Sequence, residues 1–269
     1  TIFYNIMAFK IGSTDFTKAY LGSTEIDNIQ LGQSEVYTSD AFPVYDDLQL
    51  RLEAADYPGA GNTWTDSAQS LAFTAYGTQT PHTTVAGAEC FDFNNSGYWQ
   101  SAAGASGSNL VDMRGTFTLL IIYYSQGIGE RDSIFEKAGT SYQSYEQEIA
   151  LTMETSNTNS YYRGRSNYSY GYTKNTTNNR WNFMAIKSEG TTVRTGHYWN
   201  QSTSSWVSSY TNRGNNAITQ AGAIRIGSGY AGVMESGYLG SVLVYDRALT
   251  TTEMSNLHTY YSTIYNNLL

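Results

Sequence analysis

The chain has 269 residues, of which 40% are hydrophobic and only 14% are charged, against about 25% charged residues in an average globular domain. Its 23 acidic and 15 basic residues give a formal net charge of −8, which argues against nucleic acid or an anionic membrane as a partner. Few charges, 25 glycines and 24 tyrosines together indicate an all-β protein with a surface of serine, threonine, asparagine and tyrosine.

The first residues and the single cysteine indicate the compartment in which the protein folds. Residues 1–7 lack the basic stretch and the small-residue cleavage site of a signal peptide. No apolar run approaches the roughly 18 residues that suggest a membrane span. Cys90 by itself excludes an internal disulfide framework, so we expect assembly in a reducing cytosol.

A ten-residue pattern occurs three times in the first forty residues. Its copies are Phe9–Phe16, Ala19–Ile26 and Ile29–Val36, each with an aliphatic residue, a glycine, two polar residues, an acid and an apolar residue. Glycine adopts positive φ at little cost, so the pattern predicts turns at Gly12–Asp15, Gly22–Glu25 and Gly32–Glu35. Residues 1–40 therefore read as a small β-meander, which cannot bury a core by itself and must dock elsewhere.

After Pro43, short strand-like runs alternate with segments rich in glycine, asparagine and serine. This spacing predicts a sandwich of two antiparallel sheets over residues 41–269, rather than alternating strands and helices. The predicted strands are Leu48–Leu52, Leu71–Tyr76, Cys90–Phe93, Phe117–Tyr124, Ile149–Met153, Trp181–Lys187, His197–Trp199, Ile224–Ile226 and Val242–Tyr245.

Residues 161–172 are unusually rich in tyrosine and arginine, and they form the candidate binding segment. Three interpretations stay open: a hairpin whose alternate tyrosines pack on the sheet, a subunit or capsid interface, and a surface whose rings stack on sugars. Trp199 and Trp206 flank a second predicted hairpin, and we expect Trp206 to be the more exposed ring. The candidate ligand-binding residues are Tyr161, Tyr162, Arg163, Arg165, Tyr168, Tyr170, Tyr172 and Trp206.

One segment, at the end of the chain, has the pattern of an amphipathic helix. Thr250 and Glu253 form the Thr-x-x-Glu pattern of a capping box. Apolar residues then recur at helical spacing, which predicts a helix with one stripe packed against the sandwich; they are Met254, Leu257, Tyr261, Ile264 and Leu268.

Several of these runs resemble motifs of the concanavalin-like, laminin-G-like jelly-roll domains. Leu48–Ser67 resembles their opening strand and its Tyr-Pro-Gly-x-Gly-x-x-Trp-x-Asp turn, and Gly237–Glu253 resembles their closing strand and helix start. Shorter matches follow in the family's order at Ala88–Tyr98, Gly115–Leu119, Trp181–Ala185 and Ile224–Gly227. The resemblance implies a jelly-roll β-sandwich over about residues 44–266. The first forty residues are instead similar to short repeats in structural proteins of tailed bacteriophages.

Catalytic patterns are weak. Glu25–Gln30 resembles the Glu-x-Asp-x-x-Glu strand of laminarinase-type glycoside hydrolases, but Gln30 cannot donate and then accept a proton. Glu25 also occupies the acid position of the ten-residue repeat, so the turn accounts for an acid at this position without a catalytic role. His82, His197 and His258 lack a nucleophile-elbow pattern and are expected to be ordinary polar residues.

Calcium is the metal that some laminin-G-like domains bind through loop oxygens. Asp66, Asp92 and Asn94 are candidate oxygen ligands, yet their spacing fixes no site. We expect Asp66 to brace the turn after Trp64, and we assign no metal and no cofactor.

The sequence therefore predicts a non-enzymatic structural protein of a bacteriophage virion, assembled in the host cytoplasm and displayed as a capsid decoration or tail appendage. The N-terminal repeat would dock it to other virion proteins and into a homo-oligomer. The alternative is a glycan-binding lectin module for host attachment, and a glycoside hydrolase ranks behind both.

Overall fold

The computed structural model describes residues 20–21, 24–25, 28–31, 34–38, 42–77, 82–93, 97–102, 111, 113, 115–126, 133–138, 147–154, 159–164, 169–175, 179–190, 194–212, 222–229, 232–233, 237–266 and 268–269. Within the strands at 20–38, 147–150, 152–175, 209–212 and 229–233, and at residue 138, the description covers the backbone alone. The chain divides into two units, Thr1–Pro43 and Val44–Leu269.

The first unit contains two short antiparallel hairpins. β1 (Tyr20–Leu21) pairs with β2 (Thr24–Glu25), and β3 (Asn28–Leu31) pairs with β4 (Ser34–Thr38). Strand therefore resumes at Thr24 and Ser34, inside the predicted turns, which end one residue later at Glu25 and Glu35. The predicted turn at Gly12–Asp15 lies outside the described residues, and the docking role of the unit stays a prediction.

The second unit is a sandwich of two large antiparallel sheets. Its strands are β5 (Leu48–Glu53), β6 (Thr63–Thr65), β7 (Ala72–Gly77), β8 (His82–Val85), β9 (Ala88–Asp92), β10 (Gly97–Ser101), β11 (Phe117–Ser125), β12 (Ser133–Ala138), β13 (Gln147–Glu154), β14 (Asn159–Gly164), β15 (Ser169–Asn175), β16 (Arg180–Ser188), β17 (Arg194–Asn200), β18 (Ser205–Asn212), β19 (Ile224–Ile226), β20 (Ser228–Gly229), β21 (Gly232–Val233) and β22 (Tyr238–Tyr245). All nine strands predicted beyond Pro43 are present, and the all-β sandwich prediction is confirmed.

Strand order defines the two sheets. The first, called here sheet A, has the order β15-β14-β13-β12-β19-β10-β7-β6. The second, sheet B, has the order β18-β17-β16-β11-β22-β9-β8, with β5 also paired to β22. Neighbours such as β10 and β19 are far apart in sequence, as expected when strands switch between the layers of a jelly roll.

The main core lies between the sheets and is rich in aromatic rings. Trp64, Phe91 and Trp99 are fully buried, and their ring centroids lie 4.7 to 5.9 Å apart. All three contacts are tilted or edge-to-face, and aromatic pairs favour such geometries over a face-to-face sandwich. Leucine, isoleucine and valine side chains from β5, β11 and β22 complete the core.

A single described α-helix, α1 (Thr251–Ile264), packs on the outer face of sheet B, and a short 3-10 helix follows β5 at Ala54–Asp56. Thr250 and Glu253 form the predicted capping box, in which the Thr250 hydroxyl accepts from the Glu253 amide and the Glu253 carboxylate accepts from the Thr250 amide. Arg247 donates two hydrogen bonds to that carboxylate, at 2.9 and 2.6 Å. In the described part of the chain, no helix has the length and hydropathy needed to cross a membrane.

Candidate functional site

The two outer faces of the sandwich differ in what covers them. On sheet B, the ring centroid of Trp181 lies 4.6 Å from that of Tyr265, and Phe183 lies 5.8 Å from Tyr261 on α1. On sheet A, outward-facing residues of β6 and β7 are exposed, among them Thr63, Thr65 and Thr74. This part of sheet A is therefore open to a ligand, whereas the outer face of β16 in sheet B is buried under the helix and the residues that follow it.

A group of four side chains stands on this open part of sheet A. Tyr76 on β7 lies directly opposite Tyr98 on β10, and their rings stack with centroids 5.4 Å apart and an interplanar angle of 7°. The Arg225 guanidinium on β19 lies 5.0 Å from the centroid of Tyr98. Arg225 Nε also donates to Oε1 of Gln100 on β10, at 2.8 Å. We call Tyr76, Tyr98, Gln100 and Arg225 the tyrosine platform.

Strand alternation explains why these residues face outward. Along β10, Gly97, Trp99 and Ser101 are buried while Tyr98 and Gln100 are half-buried. Along β19, Ile224 and Ile226 are buried on either side of Arg225. Side chains two residues apart share one face of a strand, so burial of the apolar set sends the polar set outward. The pattern was visible in the sequence, but the adjacency of β10 and β19 was not, and the platform was missed for that reason.

The tyrosine- and arginine-rich segment forms a hairpin, which is the backbone shape in one of the three interpretations that the sequence leaves open. β14 and β15 pair with Tyr161 opposite Tyr172 and Arg163 opposite Tyr170. Tyr162 lies opposite Leu151, which belongs to the main core, so its register position is in a core-facing row. Side chains of this hairpin, and all of Arg165 and Tyr168, lie outside the described part of the structure, and a ligand-binding role for the segment stays a prediction.

Register links this hairpin to the tyrosine platform. One cross-strand row runs through residues that are directly opposite each other on successive strands of sheet A; its members are Thr74, Gln100, Arg225, Glu136, Ala150, Arg163 and Tyr170. Directly opposed residues of antiparallel strands share one face of a sheet. The sequence-predicted segment and the platform therefore occupy the same row.

The expectation that Trp206 is the exposed ring is wrong. Trp206 is 9% exposed, and its ring centroid lies 5.2 Å from Phe183 and 5.9 Å from Trp199. The predicted hairpin itself is confirmed, with Trp199 opposite Trp206. Both tryptophans belong to the sheet face under α1, where Trp199 stacks on His258 at 3.7 Å. Sequence spacing gave no sign of this cover, because the helix that supplies it lies some fifty residues further along the chain.

The three histidines considered as catalytic candidates lie in two environments: His197 and His258 on the outer face of sheet B, and His82 beside the aromatic core. Burial lowers the pKa of His258 to about 4 and, together with the positive charge of Lys187, lowers the pKa of His197 to about 4. Both rings are therefore neutral at pH 7. His82 packs against the rings of Tyr57 and Phe91, with its Nε2 3.8 Å from a carboxylate oxygen of Glu89.

Two buried carboxylates of the described residues, those of Glu53 and Asp66, are held by specific donors. Glu53 accepts two hydrogen bonds from Arg51 and one from the Tyr261 hydroxyl at 2.6 Å, which joins β5 to α1. Asp66 accepts from the amides of Ala68, Gln69 and Leu71, so the prediction that it braces this turn is confirmed.

The remaining candidates from the sequence are metal ligands and an acidic segment, and the described residues do not bring them together as a site. No group of three or more His, Cys, Asp or Glu residues that could hold a metal occurs among the residues described. Asn94 lies outside the description, as do the side chains of the Glu25–Gln30 segment.

Neither a protein-family model nor a curated protein matches this chain. Solved structures do share its fold at low sequence identity. Domain 4 of AbnA, a GH43 extracellular arabinanase from Geobacillus stearothermophilus solved in complex with arabinotriose, has a TM-score of 0.56 and 9% identity, with 78% of this chain and 98% of that domain covered. The botulinum neurotoxin serotype D ligand-binding domain in complex with N-acetylneuraminic acid has a TM-score of 0.58 and 10% identity over 81% of this chain and 52% of its own.

Trypanosoma rangeli sialidase is similar over a smaller part of its length. Its TM-score is 0.58 and its identity 12%, with 82% of this chain but only 34% of the sialidase covered. This chain thus spans about half of the neurotoxin domain and a third of the sialidase. At these identities the likeness defines a class of fold, the jelly-roll β-sandwich, and the second unit of this chain has that fold.

Proposed function

We propose that this chain is a non-enzymatic carbohydrate-binding β-sandwich module. The observation that carries the proposal is the open part of sheet A, where the exposed Tyr76 stacks on the half-buried Tyr98 beside a guanidinium and an amide group. Sugars offer C–H groups on one side of the ring and hydroxyls around its edge, which match aromatic faces and planar polar groups respectively.

Two of the structures that share the fold support this proposal. One is a domain bound to arabinotriose, and the other is a neurotoxin binding domain bound to N-acetylneuraminic acid. Among the described carboxylates, Glu53 and Asp66 are engaged by donors of the fold, so these two do not form a catalytic acid pair.

A glycan array probed with the full chain tests the proposal. We expect reproducible binding to a limited set of saccharides, with no release of reducing sugar when the best ligands are incubated with the protein. Absence of binding to every glycan, confirmed by calorimetry at millimolar saccharide, would refute carbohydrate binding. Release of reducing sugar would instead show an enzyme.

The finer proposal places the module on a bacteriophage particle, docked to other virion proteins and to copies of itself through the first forty residues. The resemblance of the ten-residue repeats to phage structural proteins supports it, as does the small size of the β1–β4 hairpins. Detection of the chain in purified particles by mass spectrometry is the expected result, and its presence only in host lysate would contradict this finer proposal.

A further inference from the structure

We infer that the tyrosine platform is the primary sugar subsite of this protein and that it takes a neutral saccharide ring stacked on Tyr76. The inference rests on the proposed carbohydrate-binding function and adds the place and the chemical class of the ligand. Neither follows from the fold, because jelly-roll domains present different surfaces to different ligands.

Exposure singles out Tyr76. Among the side chains that the structure describes, Tyr45 and Tyr76 are the large hydrophobic residues that remain exposed, at 51% and 44%. Tyr76 lies near the end of β7, one strand in from the edge of sheet A, beside polar neighbours, whereas Tyr45 lies before the first strand of the sandwich, outside both sheets. Small-molecule sites commonly combine aromatic side chains with a few placed polar groups, as Tyr76 does with the rest of the tyrosine platform.

The neighbours of Tyr76 hold it in place. Tyr98 stands on the strand between β7 and β19, so Tyr76 stacks on it from one side and the Arg225 guanidinium approaches from the other. Both faces of the Tyr98 ring are thus occupied, and a ligand can stack only on the exposed part of Tyr76. A ring that is ordered before binding loses little conformational freedom when a ligand arrives.

Gln100 supplies directed donors next to this ring. Its Oε1 accepts from Arg225 Nε, which assigns the orientation of the amide and turns Nε2 away from the guanidinium. The two N–H groups of Nε2 suit sugar hydroxyls, which accept hydrogen bonds as neutral groups.

Charge favours a neutral saccharide over an acidic one. The Arg225 guanidinium is engaged with the Tyr98 ring and with Gln100, and register places the carboxyl-bearing Glu136 directly opposite it on β12. The chain as a whole carries a formal charge of −8, which opposes the approach of sialylated or uronate ligands.

Four variants of the full chain test this inference against the best neutral oligosaccharide from the array, by titration calorimetry. Tyr76→Ala removes the stacking ring and is expected to weaken binding by about tenfold or more, while Tyr76→Phe keeps the ring and the affinity. Gln100→Glu keeps an acceptor for Arg225 but loses both N–H donors, so it should also weaken binding. Tyr45→Ala is the matched control, since it removes the other exposed tyrosine and should leave the affinity unchanged.

The outcomes separate the inference from the function on which it rests. Neutral glycan binding that survives Tyr76→Ala and Gln100→Glu but is lost in Tyr170→Ala or Arg163→Ala would overturn the platform and leave carbohydrate binding standing. A preference for sialylated or uronate glycans would overturn the ligand class. Binding to no glycan would overturn the proposed function and this inference together. Unchanged melting temperatures in Tyr76→Phe and Gln100→Glu confirm that the folded protein was tested.

Discussion

Asp66 is 1% exposed, and both oxygens of its carboxylate accept backbone N–H groups from the turn that follows Trp64. Its Oδ1 also accepts from the amide of Arg51, so the turn is tied to β5. Backbone donors that are buried without an acceptor are costly, and one carboxylate satisfies several of them here. Local sequence alone indicated this role, because an Asp accepting from residues two and three positions later is a common turn arrangement.

We expect Asp66→Ala to lower the free energy of unfolding by about 3 kcal/mol, because it leaves several backbone donors unsatisfied at once. Asp66→Asn keeps one acceptor oxygen and should cost less. Urea denaturation followed by tryptophan fluorescence measures both. Wild-type stability in Asp66→Ala would contradict the bracing role.

His258 shows what burial does to a titratable group in this protein. Its ring stacks on Trp199 at 3.7 Å and faces Phe183 at 6.1 Å, and its Nδ1 lies 3.4 Å from the Ser262 hydroxyl. On the same outer face of sheet B, His197 has its Nδ1 3.5 Å from the Ser208 hydroxyl, and the charges of Lys187 and Glu189 act on it. The pKa of each ring is lowered to about 4, so the folded state favours the neutral form.

Stability should therefore fall as the pH decreases from about 6.5 to 4. In that interval the histidines of the unfolded chain bind protons while those of the native state remain neutral, which shifts the equilibrium toward unfolding. His258→Phe preserves a ring against Trp199 and removes one titrating group, so it should show a smaller loss of unfolding free energy between pH 7 and pH 4.5. An equal pH dependence in wild type and variant would show that burial of His258 does not control it.

At the scale of elements, the start of α1 is set by neighbouring residues, whereas the surface on which the helix packs belongs to strands distant in sequence. The capping box lies within four residues, and the sequence predicted it from the Thr-x-x-Glu pattern alone. The packing of α1 on sheet B depends on Gly240 of β22, where an added Cβ would lie 2.5 Å from the ring of Tyr265, the residue that follows the helix. The Tyr265 hydroxyl also lies 2.8 Å from Ser241 Oγ. This close approach could not be predicted, since nothing in either segment indicates its partner.

Gly240→Ala is expected to destabilise the protein by about 2 kcal/mol, because the new methyl group overlaps the Tyr265 ring. Gly115→Ala is the matched control, since its Cβ would meet nothing within 4 Å and should cost little. Thermal unfolding by circular dichroism compares them. Adding Tyr265→Leu should recover part of the loss from Gly240→Ala, and strictly additive effects of the two changes would contradict the proposed overlap.

At the scale of the whole molecule, the chain divides after Pro43. The second unit contains both large sheets, the core between them and the helix that covers sheet B. The first unit has only short hairpins among its described residues, which is too little to be stable by itself.

Deletion of residues 1–40 should leave the sandwich folded, with its strand-rich circular dichroism and cooperative unfolding retained. Self-association, measured by light scattering coupled to size exclusion, should be lost if the repeat is the docking element. Global unfolding of the truncated chain would show instead that the repeat supports the main core. Unchanged assembly would show that another surface makes the oligomer.

The sequence by itself determined nine of the strands beyond Pro43, the capped helix and the Asp66 turn, because alternation, capping and turn chemistry act over a few residues. Only the tertiary structure decided which outer face is open. It buried Trp206 under a helix distant in sequence, and it brought Arg225 to Gln100 across 125 residues to form the tyrosine platform. Whether a strand face is exposed depends on what else packs against it. Those contacts are made between segments that are distant in sequence, and neither segment's local sequence identifies the other.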